Sequence, residues 1–378
     1  MRERLLSKTN VYIVGAGFSM YAGLPLQAQF TEALLEPRAE EAYPLKPLVD
    51  HLGTFIHHVF DHNEAAKAKF WPELEDVFTN IDMAANTGHH LGAAYSPARL
   101  RTTRRVLLAR IMHMLEERFH LAEQRKGPDW KKMTKFFASI DIERSAFISM
   151  NWDTVIERRL GTLRKVKNID YGCGAVAARF PTAGNVIANQ DDDTNSRVRI
   201  PVVKMHGSVN WLYCDNCRKL YWFPTNDART VATQLISQQE ATEIGLGDDS
   251  GYAKWHCKNC KDVILTTRLA TFSFLKALDF PMFEQSWLSA ERLLRTARKW
   301  IFIGYSLPPA DYEFKHLLKR VQLSRRTQPE FVVITGGRPK NTELTYKNYQ
   351  GFFGRAIRKG ENFFADGLTS EAISAEQS

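Results

Sequence analysis

The sequence predicts an α/β fold: a parallel β-sheet covered by helices on both faces, interrupted by a large helical insertion and a small cysteine-bearing module. Three observations lead there. Short, near-continuous apolar runs alternate with helical patterns, a glycine-rich turn directly follows the first run, and four of the five cysteines stand in two Cys-x-x-Cys pairs. Strands that are apolar on both faces belong to sheets buried on both sides.

The predicted strands are 11–14 (VYIV), 146–150 (AFISM), 202–205 (VVKM), 300–303 (WIFI) and 331–335 (FVVIT). Each is rich in β-branched or aromatic residues and too short for a helix. Residues 31–143 hold no comparable run. Apolar residues there recur at helical spacing over 48–60, 74–83 and 101–119, for instance Val106, Leu107, Ile111, Met114 and Leu115. A further helix is expected over 283–299, and 185–199 reads as a polar loop. The expected organisation is therefore a sheet domain from 1–30, 146–210 and 262–340, an insertion at 31–145, a cysteine module at 211–261 and a C-terminal tail at 341–378.

The first strand runs into Gly15-Ala16-Gly17-Phe18-Ser19. A strand that ends in Gly-Ala-Gly and opens a helix is the phosphate-binding turn of a Rossmann-like dinucleotide fold. Glycine lets backbone approach a pyrophosphate, and the helix start supplies free amides. The third glycine of the common fingerprint is missing, and no strand with a terminal acid follows about 20 residues on, which disfavours a hydride-transferring dehydrogenase. The other strands end in Asn151-Trp152-Asp153, His206-Gly207-Ser208 and Gly304-Tyr305-Ser306. Ligands of open parallel sheets bind outside the carboxyl ends of the strands, so these motifs should share one cleft.

Cys214, Cys217, Cys257 and Cys260 form two knuckles of the kind that hold a tetrahedral structural Zn²⁺, with His256 as a bystander. The formal net charge is +9, from 51 basic and 42 acidic residues. Basic clusters at Arg99, Arg101, Arg104 and Arg105, and at Lys315, Lys319 and Arg320, lack interleaved aromatics, and direct nucleic-acid binding is disfavoured. No run approaches 18 apolar residues and the N-terminus has no apolar signal core. A cytoplasmic protein without a membrane partner is expected.

Taken in order, Gly15-Ala-Gly-Phe-Ser19, Gly23-Leu-Pro25, Asn151-x-Asp153, His206-Gly-Ser208, the cysteine pairs and Gly304-x-Ser-Leu307 resemble the sirtuin-like superfamily. Glu73-Leu-Glu-Asp-Val-Phe78, residues 206–211 and residues 304–311 are similar to its NAD⁺-hydrolysing branch in bacterial antiphage defence. Protein-deacylating members carry Asp-Phe-Arg after Gly-Ile-Pro, where this chain has Leu26-Gln27-Ala28, and a Phe-Gly-Glu segment that is absent from 269–276.

The resemblance implies an NAD⁺ glycohydrolase, with protein deacylation or a non-catalytic nucleotide-binding subunit as the alternatives. It implies Asn151 and His206 as catalytic residues, an amide to orient water or a ribose hydroxyl and an imidazole to take its proton. Gly15, Ala16, Gly17 and Ser19 would hold phosphate, Gly304 and Ser306 phosphate or adenine ribose, and Thr335 the adenosine end. Asp153 would orient the ribose or cap the following helix. The family also implies a homo-oligomer, and a partner such as a HerA-type ATPase or an Argonaute-type protein, with the insertion as a candidate contact surface.

Overall fold

In the computed structural model, residues 9–40, 45–61, 70–164, 166–180, 187–188, 198–224, 228–246, 254–261, 263–269, 281–309 and 311–377 are described. In chain order the strands are β1 (Asn10–Val14), β2 (Ser145–Ser149), β3 (Val166–Asp170), β4 (Val176–Arg179), β5 (Ile187–Ala188), β6 (Val198–Lys204), β7 (Trp211–Tyr213), β8 (Leu220–Trp222), β9 (Lys299–Ile303), β10 (Glu330–Ile334) and β11 (Phe363–Phe364). Seven of them form one sheet in the order β3-β6-β2-β1-β9-β10-β11, and every neighbouring pair is parallel. The five predicted strands are its centre.

The pleat explains why those runs are apolar throughout. Tyr12 and Val14 of β1 enter one core with Phe18, Phe136 and Phe147. Val11 and Ile13 enter the opposite one with Leu293, Phe302 and Tyr349. Successive side chains face opposite ways, so a strand covered on both sides has no polar face to show. From β1 the chain first builds towards β2, β6 and β3, then returns to lay β9 and β10 on the other side of β1. That reversal is where an open sheet presents its ligand crevice.

The helical region consists chiefly of Lys46–Phe60, Leu74–Thr87, Pro97–Arg125 and Pro128–Ser139. Pro97–Arg125 is a 29-residue helix that starts at Pro97 and is capped by Ser96, whose hydroxyl accepts the Arg99 amide. It runs through the middle of this region, so even its charged residues need partners inside. Glu116 pairs with Arg158, and Glu117 with Arg229. The arginine cluster is consumed the same way: Arg99 and Arg101 donate to the carbonyls of Ala94 and Ala85, and Arg104 and Arg105 bind Asp82 and Glu240. Arg99 ties its helix to the preceding turn, and Arg101, Arg104 and Arg105 tie helices together. Among the described residues no helix is long and apolar enough to cross a membrane.

Two expectations are corrected. Residues 341–378 are not a tail: they continue the Pro339–Phe353 helix, add β11 to the main sheet and end in a helix at Ser370–Gln377. Leu368, Ala372 and Ile373 are buried in the core, which is what holds the segment down. The small antiparallel β7–β8 hairpin also recruits β4, which pairs parallel with β8, and β5 beyond it. The second sheet therefore draws on residues before 211. Of the loop expected at 185–199, Ile187 and Ala188 form β5, Val198 and Arg199 belong to β6, and 185–186 and 189–197 lie outside the described residues.

The turns after β1 and β9 touch backbone to backbone. Gly17 donates its amide to the Gly304 carbonyl at 2.9 Å, and Gly15 donates to Ile303 at 3.1 Å. A Cβ on Gly304 would lie 2.1 Å from the Phe18 nitrogen, and φ there is +61°. Gly53, inside the Lys46–Phe60 helix, has open space instead. Gly304→Ala should destabilise by about 1–3 kcal/mol from overpacking alone, whereas Gly53→Ala should stabilise by about 0.5–1 kcal/mol. Urea midpoints of the two variants check this.

Candidate active site

Outside the carboxyl ends of β1, β2, β6, β9 and β10 lies a cavity of about 770 Å³, within the range of small-molecule and cofactor pockets. All ten residues expected to contact dinucleotide line it: Gly15, Ala16, Gly17, Ser19, Asn151, Asp153, His206, Gly304, Ser306 and Thr335. The order of the strands lays them out along the sheet edge. Asn151 and His206 follow β2 and β6 on one side of the glycine turn, and Gly304 and Thr335 follow β9 and β10 on the other.

At the β2 side a hydrogen-bond chain joins two loops. The Asn151 Nδ2 donates to Ser19 Oγ at 2.8 Å, and Ser19 donates its own proton to Asp153 Oδ2 at 2.6 Å. The other Asp153 oxygen accepts the Val155 amide at 3.0 Å, where a helix begins at Val155–Gly161. Asp153, one residue before the Thr154 N-cap, thus holds the first helical amide with one oxygen and orients Ser19 with the other. The single hydroxyl proton of Ser19 is directed at Asp153. The amide orientation of Asn151 is fixed by this chain, which makes its Oδ1 the acceptor available for ordering a hydroxyl or water.

His206 hangs from the same loop. Its Nδ1 lies 3.1 Å from the carbonyl of Met150, the residue before Asn151. A carbonyl can only accept, so Nδ1 carries the hydrogen and the neutral ring has its lone pair at Nε2. That is the tautomer a general base needs.

Below the loop, Lys204 donates to the Asp153 carbonyl and stands 3.4 Å from Glu157 Oε1, with both side chains essentially unexposed. Burial pushes the Glu157 carboxyl up, and the Lys204 ammonium pulls it partly back. At the opposite end, Tyr305 donates to Asp311 at 2.9 Å, Tyr349 donates to the Tyr305 carbonyl at 2.8 Å, and Leu307 is held at φ +54°. Thr335 is fixed through its backbone: its amide donates to Phe364 and its carbonyl accepts from Gly367. Sequence reasoning missed several lining residues, notably Glu75, Leu115, Arg338, Asn341 and Asn348. Only Glu75 falls within a motif singled out beforehand.

The four cysteines lie away from this cavity and close together, with ligand atoms within 4.8 Å of one another. The two knuckles have matching geometry. Arg218 and Lys261, each following a second cysteine, adopt φ +58° and +54°, and donate to the carbonyls of Cys214 and Cys257. Sulfur separations of 3.5 Å (Cys217–Cys257) and 3.9 Å (Cys214–Cys260) compare with roughly 3.8 Å for tetrahedral Zn–S bonds of about 2.3 Å. The donor set fits a Zn²⁺ that would clamp the knuckles and supply no chemistry, since four thiolates leave no open position.

No protein family matches the chain, and no curated protein does. Solved structures that match include a sirtuin from a study of substrate affinity (14% identity, TM-score 0.33, covering 100% of this chain and 94% of that one). Another is Sir2 with a p53 peptide and NAD⁺ (14%, 0.31, 100% and 95%). A third is Sir2 with an inhibitor, 2′-O-acetyl-ADP-ribose and deacetylated p53 peptide (15%, 0.31, 100% and 96%). At such identities and scores they add no functional argument to the geometry.

The buried Lys204–Glu157 pair generates a test. The folded state holds the Glu157 proton more tightly than the unfolded chain, so this group contributes most below the ordinary carboxylate range and less as pH rises through its folded value. Lys204→Met strands the carboxylate and should cost about 3–5 kcal/mol at neutral pH. The deficit should narrow as pH falls and Glu157 takes up a proton. Chemical denaturation at pH 5 and pH 7.5 measures both.

Proposed function

We propose that this chain is an NAD⁺ glycohydrolase that cleaves the nicotinamide–ribose bond to release nicotinamide and ADP-ribose. The observation that carries the reading is the pairing of Asn151, oriented by Ser19 and Asp153, with His206, held in its Nε2-acceptor tautomer by Met150, at one end of a cavity lined by the glycine turns.

The chemistry follows from those groups. The C1′–N bond breaks with its electron pair moving to the pyridinium nitrogen, so nicotinamide leaves neutral and needs no acid, unlike the oxygen leaving group of an ordinary glycoside. Positive charge develops on the ribose. Asn151 Oδ1 orients a water at the opposite face, its oxygen bonds C1′, and its proton passes to His206 Nε2. The backbone of Gly15–Gly17 and Gly304, which lines the cavity, would cradle the pyrophosphate. Thr335 and Ser306 would then border the adenosine half, on the β9–β10 side.

The resemblance extends the reading to an antiphage effector that depletes NAD⁺, assembling as a homo-oligomer with a partner ATPase or Argonaute-type protein. Departures at Leu26-Gln27-Ala28, which line the cavity, support hydrolysis over peptide deacylation. The corresponding departure at 269–276 falls mostly outside the described residues.

The test is nicotinamide release from NAD⁺ with and without an acetyl-lysine peptide. The proposal expects peptide-independent turnover, reduced at least about 10²-fold by His206→Ala, the upper part of the usual general-base contribution being about 10⁴-fold, and similarly by Asn151→Ala. Release that requires the peptide would indicate a deacylase. Dinucleotide binding without turnover would indicate a nucleotide-binding subunit.

A further inference from the structure

The acids and bases that line the cavity are divided along the sheet edge. Among the described residues, the lining carboxylates are Glu75 of the helical insertion, Asp153 after β2, and Asp311, which follows β9 and accepts from Tyr305. None of them follows β10. The stretch that leaves β10 is Thr335-Gly336-Gly337-Arg338, and all four of its residues line the cavity. Arg338 is the one arginine or lysine among the described lining residues. Asp366, which follows β11, is exposed and outside that lining.

Arg338 is anchored through its backbone. It precedes the Pro339–Phe353 helix, and its carbonyl accepts the amides of Asn341 and Thr342 at 2.9 and 3.2 Å. The side chain is exposed, caps nothing, and makes no hydrogen bond or ion pair with the described residues. Gly336 and Gly337 bring no side chain to the same wall, so Arg338 alone gives that stretch its charge.

That charge matters because of what an adenosine ribose can carry. In dinucleotide folds an acid beside this sugar bonds its 2′-hydroxyl, whereas an arginine accommodates a 2′-phosphate. A guanidinium holds phosphate oxygens through charge-assisted, often bidentate bonds. Here the β10 side has the arginine and lacks the acid.

We propose that Arg338 forms a subsite for a phosphate on the adenosine ribose, so that the cavity binds and cleaves the 2′-phosphorylated dinucleotide, NADP⁺, as well as NAD⁺. This rests on the glycohydrolase reading, in which adenosine lies towards Thr335. Arg338 stands across the glycine turns from Asn151 and His206. It is therefore a specificity-determining residue, and the bond that breaks is the same in both substrates.

The experiment is calorimetric binding of ADP-ribose and of ADP-ribose 2′-phosphate to the full-length wild type, Arg338→Ala, Arg338→Lys and Lys340→Ala. Nicotinamide release from NAD⁺ and NADP⁺ by the wild type is followed alongside. Lys340 is an exposed cation that does not line the cavity, so its variant reports the general field of the surface. The wild type should bind the 2′-phosphate at least as tightly as ADP-ribose and release nicotinamide from both dinucleotides. Arg338→Ala should weaken the 2′-phosphate by about tenfold or more, the scale of a charge-assisted contact, and leave ADP-ribose within about threefold of wild type. Arg338→Lys should keep part of the affinity and Lys340→Ala all of it. Weaker wild-type binding of the 2′-phosphate than of ADP-ribose would overturn this inference, as would cleavage of NAD⁺ but not NADP⁺. Equal effects of Arg338→Ala on the two ligands, or a matching loss in Lys340→Ala, would overturn it too. The expected binding pattern with nicotinamide released from neither dinucleotide would overturn the glycohydrolase reading and leave the phosphate subsite standing.

Discussion

The close approach of two backbone turns governs the architecture of the site. The glycine turn after β1 and the Gly304 turn after β9 pack with no room for a single extra carbon between Gly304 and Phe18. Because these strands are neighbours at the point where the sheet order reverses, their contact sets the floor of the cleft. Everything else is placed relative to it. Ser19, two residues past Gly17, reaches the β2 loop, and Thr335 follows the next strand out.

From that floor the reactive end is assembled by hydrogen bonds whose directions are forced. A carbonyl dictates which nitrogen of His206 is protonated, and a carboxylate dictates where Ser19 sends its proton. Ser19 in turn receives Asn151, so the amide, the hydroxyl and the carboxylate act as one rigid unit across two loops. The buried Lys204–Glu157 pair underneath holds the carbonyl of Asp153, which links the loop to a charge pair isolated from water. Such a pair is a poor source of stability but a good means of fixing one arrangement.

Much of this was legible in the sequence because burial on both faces leaves a coarse signature. Runs such as WIFI at 300–303 can be little else than central strands, and their terminal residues then fall on one edge. The edge strands were not legible. β3 reads VKNID, with polar residues that an edge tolerates, and β11 is two residues long. The helix at Ser370–Gln377 is mostly small and polar, and only its tertiary packing through Ala372 and Ile373 reveals that it is held. Site residues on strand ends could be found by pattern; Glu75 and Leu115 could not, because their place at the cavity depends on how a 29-residue helix and its neighbour fold back. The proton direction at Ser19 likewise exists only once Asp153 and Asn151 are brought around it.

The account stands or falls on where the reactive sugar lies. A crystal structure of the wild-type chain with a non-hydrolysable carbocyclic NAD⁺ analogue measures this directly. The account predicts pyrophosphate against Gly15–Gly17 and Gly304, adenosine towards Thr335, and the C1′ position flanked by Asn151 and His206. An analogue bound with its nicotinamide towards Thr335, or seated elsewhere on the molecule, would contradict it.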